Sequence, residues 1–248
     1  VKQSTTWRSQ RLGQEVTVVR WGTFGMPFLI FPTAGGDAEE IERFHIISTL
    51  QPHLDAGRIK IYSCDSVAGR TMLAEEGSPQ HRMWMMNQFQ EFMRHELAPA
   101  IRTDCRSETI EIATAGASIG AFNALAAVCR YPDVFSKALC MSGTYDLLRF
   151  LKAQPTRDFW AASPVHWLPE ATNEEHLAQL RKRFVLLASG EGKAEDIGES
   201  WRVAGILGAH GVPNRVDSWG EEWSHDWPTW RNMLHTYVDE LFPPQEQG

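Results

Sequence analysis

The sequence predicts an α/β fold, a mostly parallel central sheet of about eight strands with helices on both faces and no large cap domain. Three observations predict it. From residue 58 onward, apolar β-branched runs alternate with helix-period segments. A serine between glycines, Gly116-Ala117-Ser118-Ile119-Gly120, stands between one such run and one such helix. The opening runs instead follow one another through short glycine-containing turns, which marks an antiparallel start.

Strands are predicted over Trp7–Leu12, Thr17–Trp21, Pro27–Phe31, Arg58–Cys64, Thr109–Thr114, Lys137–Ser142, Arg183–Ala188 and Asn214–Trp219. Helices are predicted over Ala38–Leu50, Arg82–Ile101, Ala121–Arg130, Glu195–His210 and Thr229–Leu241. The stretch from residue 143 to 181 breaks the alternation. It carries Pro155, Pro164 and Pro169 with Phe159, Trp160 and Trp167, and reads as a short excursion that walls part of a pocket.

A chain of 248 residues, 43% hydrophobic and 22% charged, suits one domain over residues 1–248 with a large core. The net charge of −7, without a basic stripe, argues against nucleic acid as a partner. No apolar run approaches the ~20 residues of a membrane span. The start, Val1-Lys2-Gln3-Ser4, lacks Met and a secretory apolar region, so a trimmed or processed N-terminus is expected. Cys64, Cys105, Cys129 and Cys140 are widely spaced with no C-x-x-C pair, which predicts free thiols and favours the cytoplasm. Nothing in the sequence reports the oligomeric state.

The G-x-S-x-G stretch has the form of a nucleophile elbow. A serine hydroxyl attacks a carbonyl only when a tight turn presents it beside a base. That turn presses strand against helix, and glycines two residues before and after remove the Cβ atoms that would collide. Average composition would produce the pattern by accident in roughly one such chain in ten, so its context decides. Thr109–Thr114 is a buried-strand run and Ala121–Cys129 an apolar helix, the required strand–elbow–helix order.

A serine nucleophile needs a base, an orienting acid and an oxyanion hole. In the order Ser, acid, His, the base falls after the last strand. His225 stands there, in Trp219-Gly220-Glu221-Glu222-Trp223-Ser224-His225-Asp226-Trp227-Pro228. The acid belongs after Arg183–Ala188, where Glu191, Glu195 and Asp196 compete; Asp146, after the preceding strand, is a further option. Glu195 ranks first, then Asp196, Glu191 and Asp146. One of these acids could instead favour the helix N-terminus. The oxyanion hole is expected from the backbone N–H of Ile119 and one from the Phe31–Asp37 loop, at Ala34 or Gly35. Trp160, Trp167, Trp223 and Trp227 are the candidate pocket walls. Glu42-x-x-His45 and Glu222-x-x-His225 each match half of a di-metal pattern, but such sites need both halves on facing helices of a bundle. No metal or cofactor is expected.

At these residues the chain resembles the esterases of the α/β-hydrolase superfamily, in the branch related to esterase D, feruloyl-type esterases and the antigen 85 acyltransferases. The matching segments are Phe31-Pro32-Thr33-Ala34-Gly35-Gly36, Cys64-Asp65-Ser66, Gly116–Ala121, Tyr131-Pro132-Asp133-Val134-Phe135, Ser142-Gly143-Thr144-Tyr145-Asp146 and His225–Arg231. The resemblance implies Ser118 as nucleophile, His225 as base and an acid from the Gly190-Glu191-Gly192-x-x-Glu195 loop. Many relatives carry Asp at that strand end; the nearest acids here are Glu191 and Glu195. The expected function is a serine carboxylesterase that hydrolyses small short-chain esters through an acyl-enzyme. An acyltransferase using the same acyl-enzyme and a non-catalytic binding protein of this fold are the alternatives.

Overall fold

The computed structural model describes residues 1–244. Eight strands form one sheet: β1 (Lys2–Arg8), β2 (Glu15–Trp21), β3 (Met26–Phe31), β4 (Ile59–Cys64), β5 (Ile112–Ala117), β6 (Phe135–Met141), β7 (Phe184–Ser189) and β8 (Asn214–Ser218). Their order is β1-β2-β4-β3-β5-β6-β7-β8. β2 is antiparallel to β1 and β4, and every other pairing is parallel. The central strands are buried on both faces, which is why they read as continuous apolar runs. Helices Pro79–Phe92, Ile119–Arg130 and Ile197–Ala209 cover one face. Trp227–Leu241 and the segments around Ile41–Leu54 cover the other. The sheet is the predicted α/β-hydrolase fold. No helix among the described residues is long and apolar enough to cross a membrane.

The chain moves from β3 to β4 on one side, then crosses back to place β5 on the other side of β3. This reversal opens a crevice at the carboxyl ends of β3 and β5, where Phe31 pairs with Gly116. Because β3 and β5–β8 run parallel, the loops that follow them emerge at the same end. Those loops carry Ala34, Ser118, Ser142, Glu195 and His225.

Several elements differ from expectation. β1 spans Lys2–Arg8 instead of Trp7–Leu12, since the hairpin turns at Ser9–Gly13. Glu96 holds that turn by accepting from Trp7 Nε1, Ser9 Oγ and the Arg11 N–H. The expected helix Ala38–Leu50 is divided into Glu40–Arg43 and Ile46–Thr49, because His45 takes a left-handed φ of 67°, and a further short helix Gln51–Asp55 follows. That turn buries Ile46, Ile47 and Leu50 under the sheet. The helix expected over Arg82–Ile101 starts earlier, at Pro79, where the Ser78 hydroxyl accepts the His81 N–H. It continues through a π-turn at Met93–Leu97 to Asp104. A helix over Val67–Leu73 was not expected. The excursion between β6 and β7 holds short helices whose Leu151, Phe159, Ala162, Leu168 and Leu180 are buried in the core.

Candidate active site

Ser118 follows directly on β5 with φ 57° and ψ −121°, a conformation that non-glycine residues rarely take. Its N–H donates to the Met141 carbonyl, and its own carbonyl accepts from Ala121 and Thr144. The two glycines have separate reasons. A Cβ on Gly116 would lie 2.2 Å from the Gly120 carbonyl carbon. A Cβ on Gly120 would lie 2.8 Å from the carbonyl oxygens of both Phe31 and Pro32. The elbow thus brings β3, β5 and the helix into backbone contact, and Ser118 sits at the point where they meet.

The loop after β3 turns at Ala34-Gly35. Glu40 fastens it by accepting from the N–H and the hydroxyl of Thr33. Among the described residues the N–H groups of Ala34 and Gly35 make no hydrogen bond. The Ile119 N–H is the first of its helix and lacks an intrahelical acceptor. The start of this loop meets the start of the helix where Gly120 lies against the Phe31 and Pro32 carbonyls.

The loops after β7 and β8 are fastened together. Glu191 N–H donates to Gly220 O, Gly192 N–H to Trp223 O, and His225 N–H to Lys193 O. Lys193 N–H donates to Ser224 Oγ at 3.2 Å. Gly190 and Gly192 make the approach possible, since a Cβ on either would meet the Trp223 carbonyl oxygen at 2.0 and 2.7 Å. The result places Glu195 Oε2 3.7 Å from His225 Nδ1, longer than a hydrogen bond but within ion-pair reach. The Glu195 side chain is only 1% exposed, and that of His225 is 24% exposed. Ser142 Oγ donates to Glu195 Oε1 at 2.6 Å, and Ser189 Oγ lies 3.2 Å from Oε2. No hydrogen bond joins Ser118 Oγ to His225 among the described residues. Such contacts are often long before substrate binds.

The other candidate carboxylates have different partners. Asp196 is the N-cap of helix Ile197–Ala209 and accepts from the Gly198 N–H. Glu191 is exposed and bonds to the Ser218 hydroxyl. Asp146 accepts from Arg202 at 2.8 Å and lies 3.7 Å from His166. Burial is the largest single influence and disfavours its charge, but the Arg202 hydrogen bond, the charges of His166 and Arg202 and the Leu148 N–H together outweigh it and hold its carboxyl below the usual range.

The four candidate tryptophans each pack against a different ring. Trp223 packs edge-on against Trp219, while Trp227 stacks on Phe44 at 4.4 Å. Trp160 meets His166, and Trp167 meets His176. The tryptophan ring against His225 is that of Trp230, at 5.1 Å and 89°. The sequence alone assigned Trp230, Ser142 and Ser189 no role at this carboxylate. The available signal was the indole N–H of a buried Trp, which needs an acceptor.

The model of the esterase family ("Putative esterase") matches residues 56–241, a span that includes the elbow, Glu195 and His225. No curated protein matches the chain by sequence. Among solved structures, a ferulic acid esterase superposes with a TM-score of 0.74 at 18% identity, covering 98% of each chain. An S-formylglutathione hydrolase from Agrobacterium tumefaciens gives 0.69 at 11% identity, covering 96% of this chain and 93% of the other. The Mycobacterium tuberculosis protein MPT51 (FbpC1) gives 0.69 at 15% identity, covering 98% of each. All three share the α/β-hydrolase fold, in the branch that the sequence motifs resemble. With the family match extending over well more than half of its length, the chain belongs to the esterase family and is a carboxylic ester hydrolase.

Proposed function

We propose that the protein is a serine esterase that hydrolyses small, short-chain esters through an acyl-enzyme on Ser118. The observation that carries this is the buried Glu195 carboxylate facing His225, on loops fastened together at the sheet end where the elbow presents Ser118. His225 takes the proton as Ser118 Oγ attacks the ester carbonyl, and Glu195 fixes the imidazole tautomer and stabilises the imidazolium. The Ile119 N–H, with that of Ala34 or Gly35, receives the negative oxygen of the tetrahedral intermediate. The imidazolium then protonates the leaving alcohol. Water, activated by the same imidazole, releases the acid and restores Ser118.

The short-chain reading rests on the excursion between β6 and β7. Its helices are anchored by buried Phe159, Leu151 and Leu180, so it is a fixed wall instead of a mobile lid. The test is a panel of p-nitrophenyl esters from acetate to laurate, read beside Ser118→Ala, His225→Ala and Glu195→Gln. The proposal expects highest kcat/KM at acetate or butyrate and losses on the order of 10³-fold or more in Ser118→Ala. Normal hydrolysis by folded Ser118→Ala would refute the mechanism. Transfer to an added alcohol in preference to water would replace hydrolysis by acyl transfer on the same acyl-enzyme.

A further inference from the structure

Two side chains outside the proposed Ser118–His225–Glu195 set converge on its carboxylate. Ser142 Oγ donates to Glu195 Oε1 at 2.6 Å, and Trp230 Nε1 donates to Ser142 Oγ at 2.9 Å. Ser142 and Trp230 are both buried. The Trp230 ring also lies edge-on to His225.

The donor chemistry gives this chain one direction. An indole N–H only donates, so it occupies an acceptor position of the serine oxygen. The single serine proton then goes to Glu195. A proton on Glu195 Oε1 would oppose the serine O–H, so Oε1 is kept as an acceptor. With Oε1 held this way, Oε2 is the oxygen that faces His225. Ser189 gives no such guarantee, since its one proton has two acceptors, Gly190 O at 2.9 Å and Glu195 Oε2 at 3.2 Å.

The backbone adds a second observation. Ser142 has φ 47°, in the left-handed region where glycine sits without penalty and serine does not. Its N–H donates to Ala188 O at 2.8 Å, fixing that conformation one residue beyond β6. What serine brings to the position, and glycine lacks, is the hydroxyl.

We propose that Ser142 is a positioning residue which, with its proton directed by Trp230, holds Glu195 Oε1 and keeps Oε2 aimed at His225. This rests on the triad reading above. The test compares Ser142→Gly, Ser142→Ala, Glu195→Gln and the Ser142→Gly/Glu195→Gln double variant by kcat, KM and pH profile on p-nitrophenyl acetate, with folding checked by near-UV circular dichroism. Ser142→Gly suits the backbone but removes the Cβ with the hydroxyl, while Ser142→Ala removes the hydroxyl alone. Ser142→Gly should lower kcat about 10- to 100-fold, the weight of a hydrogen bond to a charged group. KM should change little. The acid limb of kcat/KM should move to lower pH, because a loosened carboxylate stabilises the imidazolium less. In the Glu195→Gln background the same change should cost almost nothing. If neither Ser142 variant folds, Trp230→Phe keeps an aromatic ring, removes the N–H, and should lower kcat only while Glu195 is present. Wild-type kcat in folded Ser142→Gly beside a crippled Glu195→Gln would overturn the proposal alone, as would equal losses in both backgrounds. Wild-type kcat in Glu195→Gln would overturn the triad reading and this proposal with it.

Discussion

Replacing Gly116 by alanine tests the elbow without touching a reacting group. An ideal Cβ at Gly116 lies 2.2 Å from the Gly120 carbonyl carbon and 2.3 Å from its oxygen. Carbon atoms rest at ~3.5–4.0 Å, so β5 and the helix Ile119–Arg130 must part by more than about 1 Å. Both obstructing atoms are backbone, so no side chain can rotate away. The helix is also pressed against β3, since Gly120 leaves no room for a Cβ beside the Phe31 and Pro32 carbonyls. Overpacking of this kind costs ~1–3 kcal/mol, and a backbone collision belongs at the upper end. At roughly 2–4 °C per kcal/mol for a chain of this size, Tm should fall by about 6–12 °C. Ser118 lies between the two glycines, and a displacement of about 1 Å at a reacting group costs on the order of 100-fold in rate. The assay pairs thermal melts with kcat on p-nitrophenyl acetate. Gly205→Ala is the control. Its Cβ meets nothing within 4 Å on an exposed helix position, so it should stabilise by up to ~1 kcal/mol. Wild-type Tm and kcat in Gly116→Ala would refute the close-contact argument.

Other expectations follow from the same geometry. Glu195→Gln should lower kcat strongly while Asp196→Asn, Glu191→Gln and Asp146→Asn do not, since their carboxylates cap a helix, face solvent or pair with Arg202; steady-state kinetics on folded variants decide, and a collapse in one of the three with an active Glu195→Gln would reverse the assignment. Hydrolysis should fall steeply toward laurate esters without activation by emulsified lipid, and a preference for ~C12 chains, whose tails bury at roughly 0.8 kcal/mol per CH₂, would contradict the fixed wall. Stability should decline on acidification below neutrality. Burial pushes His53 and His166 below the 6.5 of an unperturbed imidazole, so the unfolded chain takes up protons first as pH falls through 6.5, and the loss is complete below the lowered folded values. Urea melts between pH 7.5 and 5.5 check this, and His166→Gln should flatten the slope; stability that rises on acidification would oppose it.

The parts of the fold legible in the sequence were those fixed by local rules. The G-x-S-x-G glycines announce a close approach, and the structure has one at both. Buried parallel strands read as apolar runs because both faces are covered. The break at His45 was not legible, because tertiary packing of Ile46, Ile47 and Leu50 imposes it on a sequence with helical spacing. The helix Val67–Leu73 was missed because Gly69 and Thr71 lower helical propensity, and Gly69 is there for contact with Ala34. Glu195 and Asp196 are adjacent in sequence and of one charge, so only the helix start separates them: Asp196 caps it and Glu195 turns inward. The Ser142–Glu195 and Ser142–Trp230 contacts join residues 53 and 88 positions apart, brought together by the parallel sheet and by no local pattern.

The central claim is that Ser118 is the group acylated during turnover. Treating the native protein with a fluorophosphonate and mapping the adduct by peptide mass spectrometry tests it directly. The account predicts one stoichiometric adduct on the peptide containing Ser118, formed at a rate that falls with His225→Ala and absent from folded Ser118→Ala. An adduct on another residue, or undiminished labelling of Ser118→Ala, would contradict it.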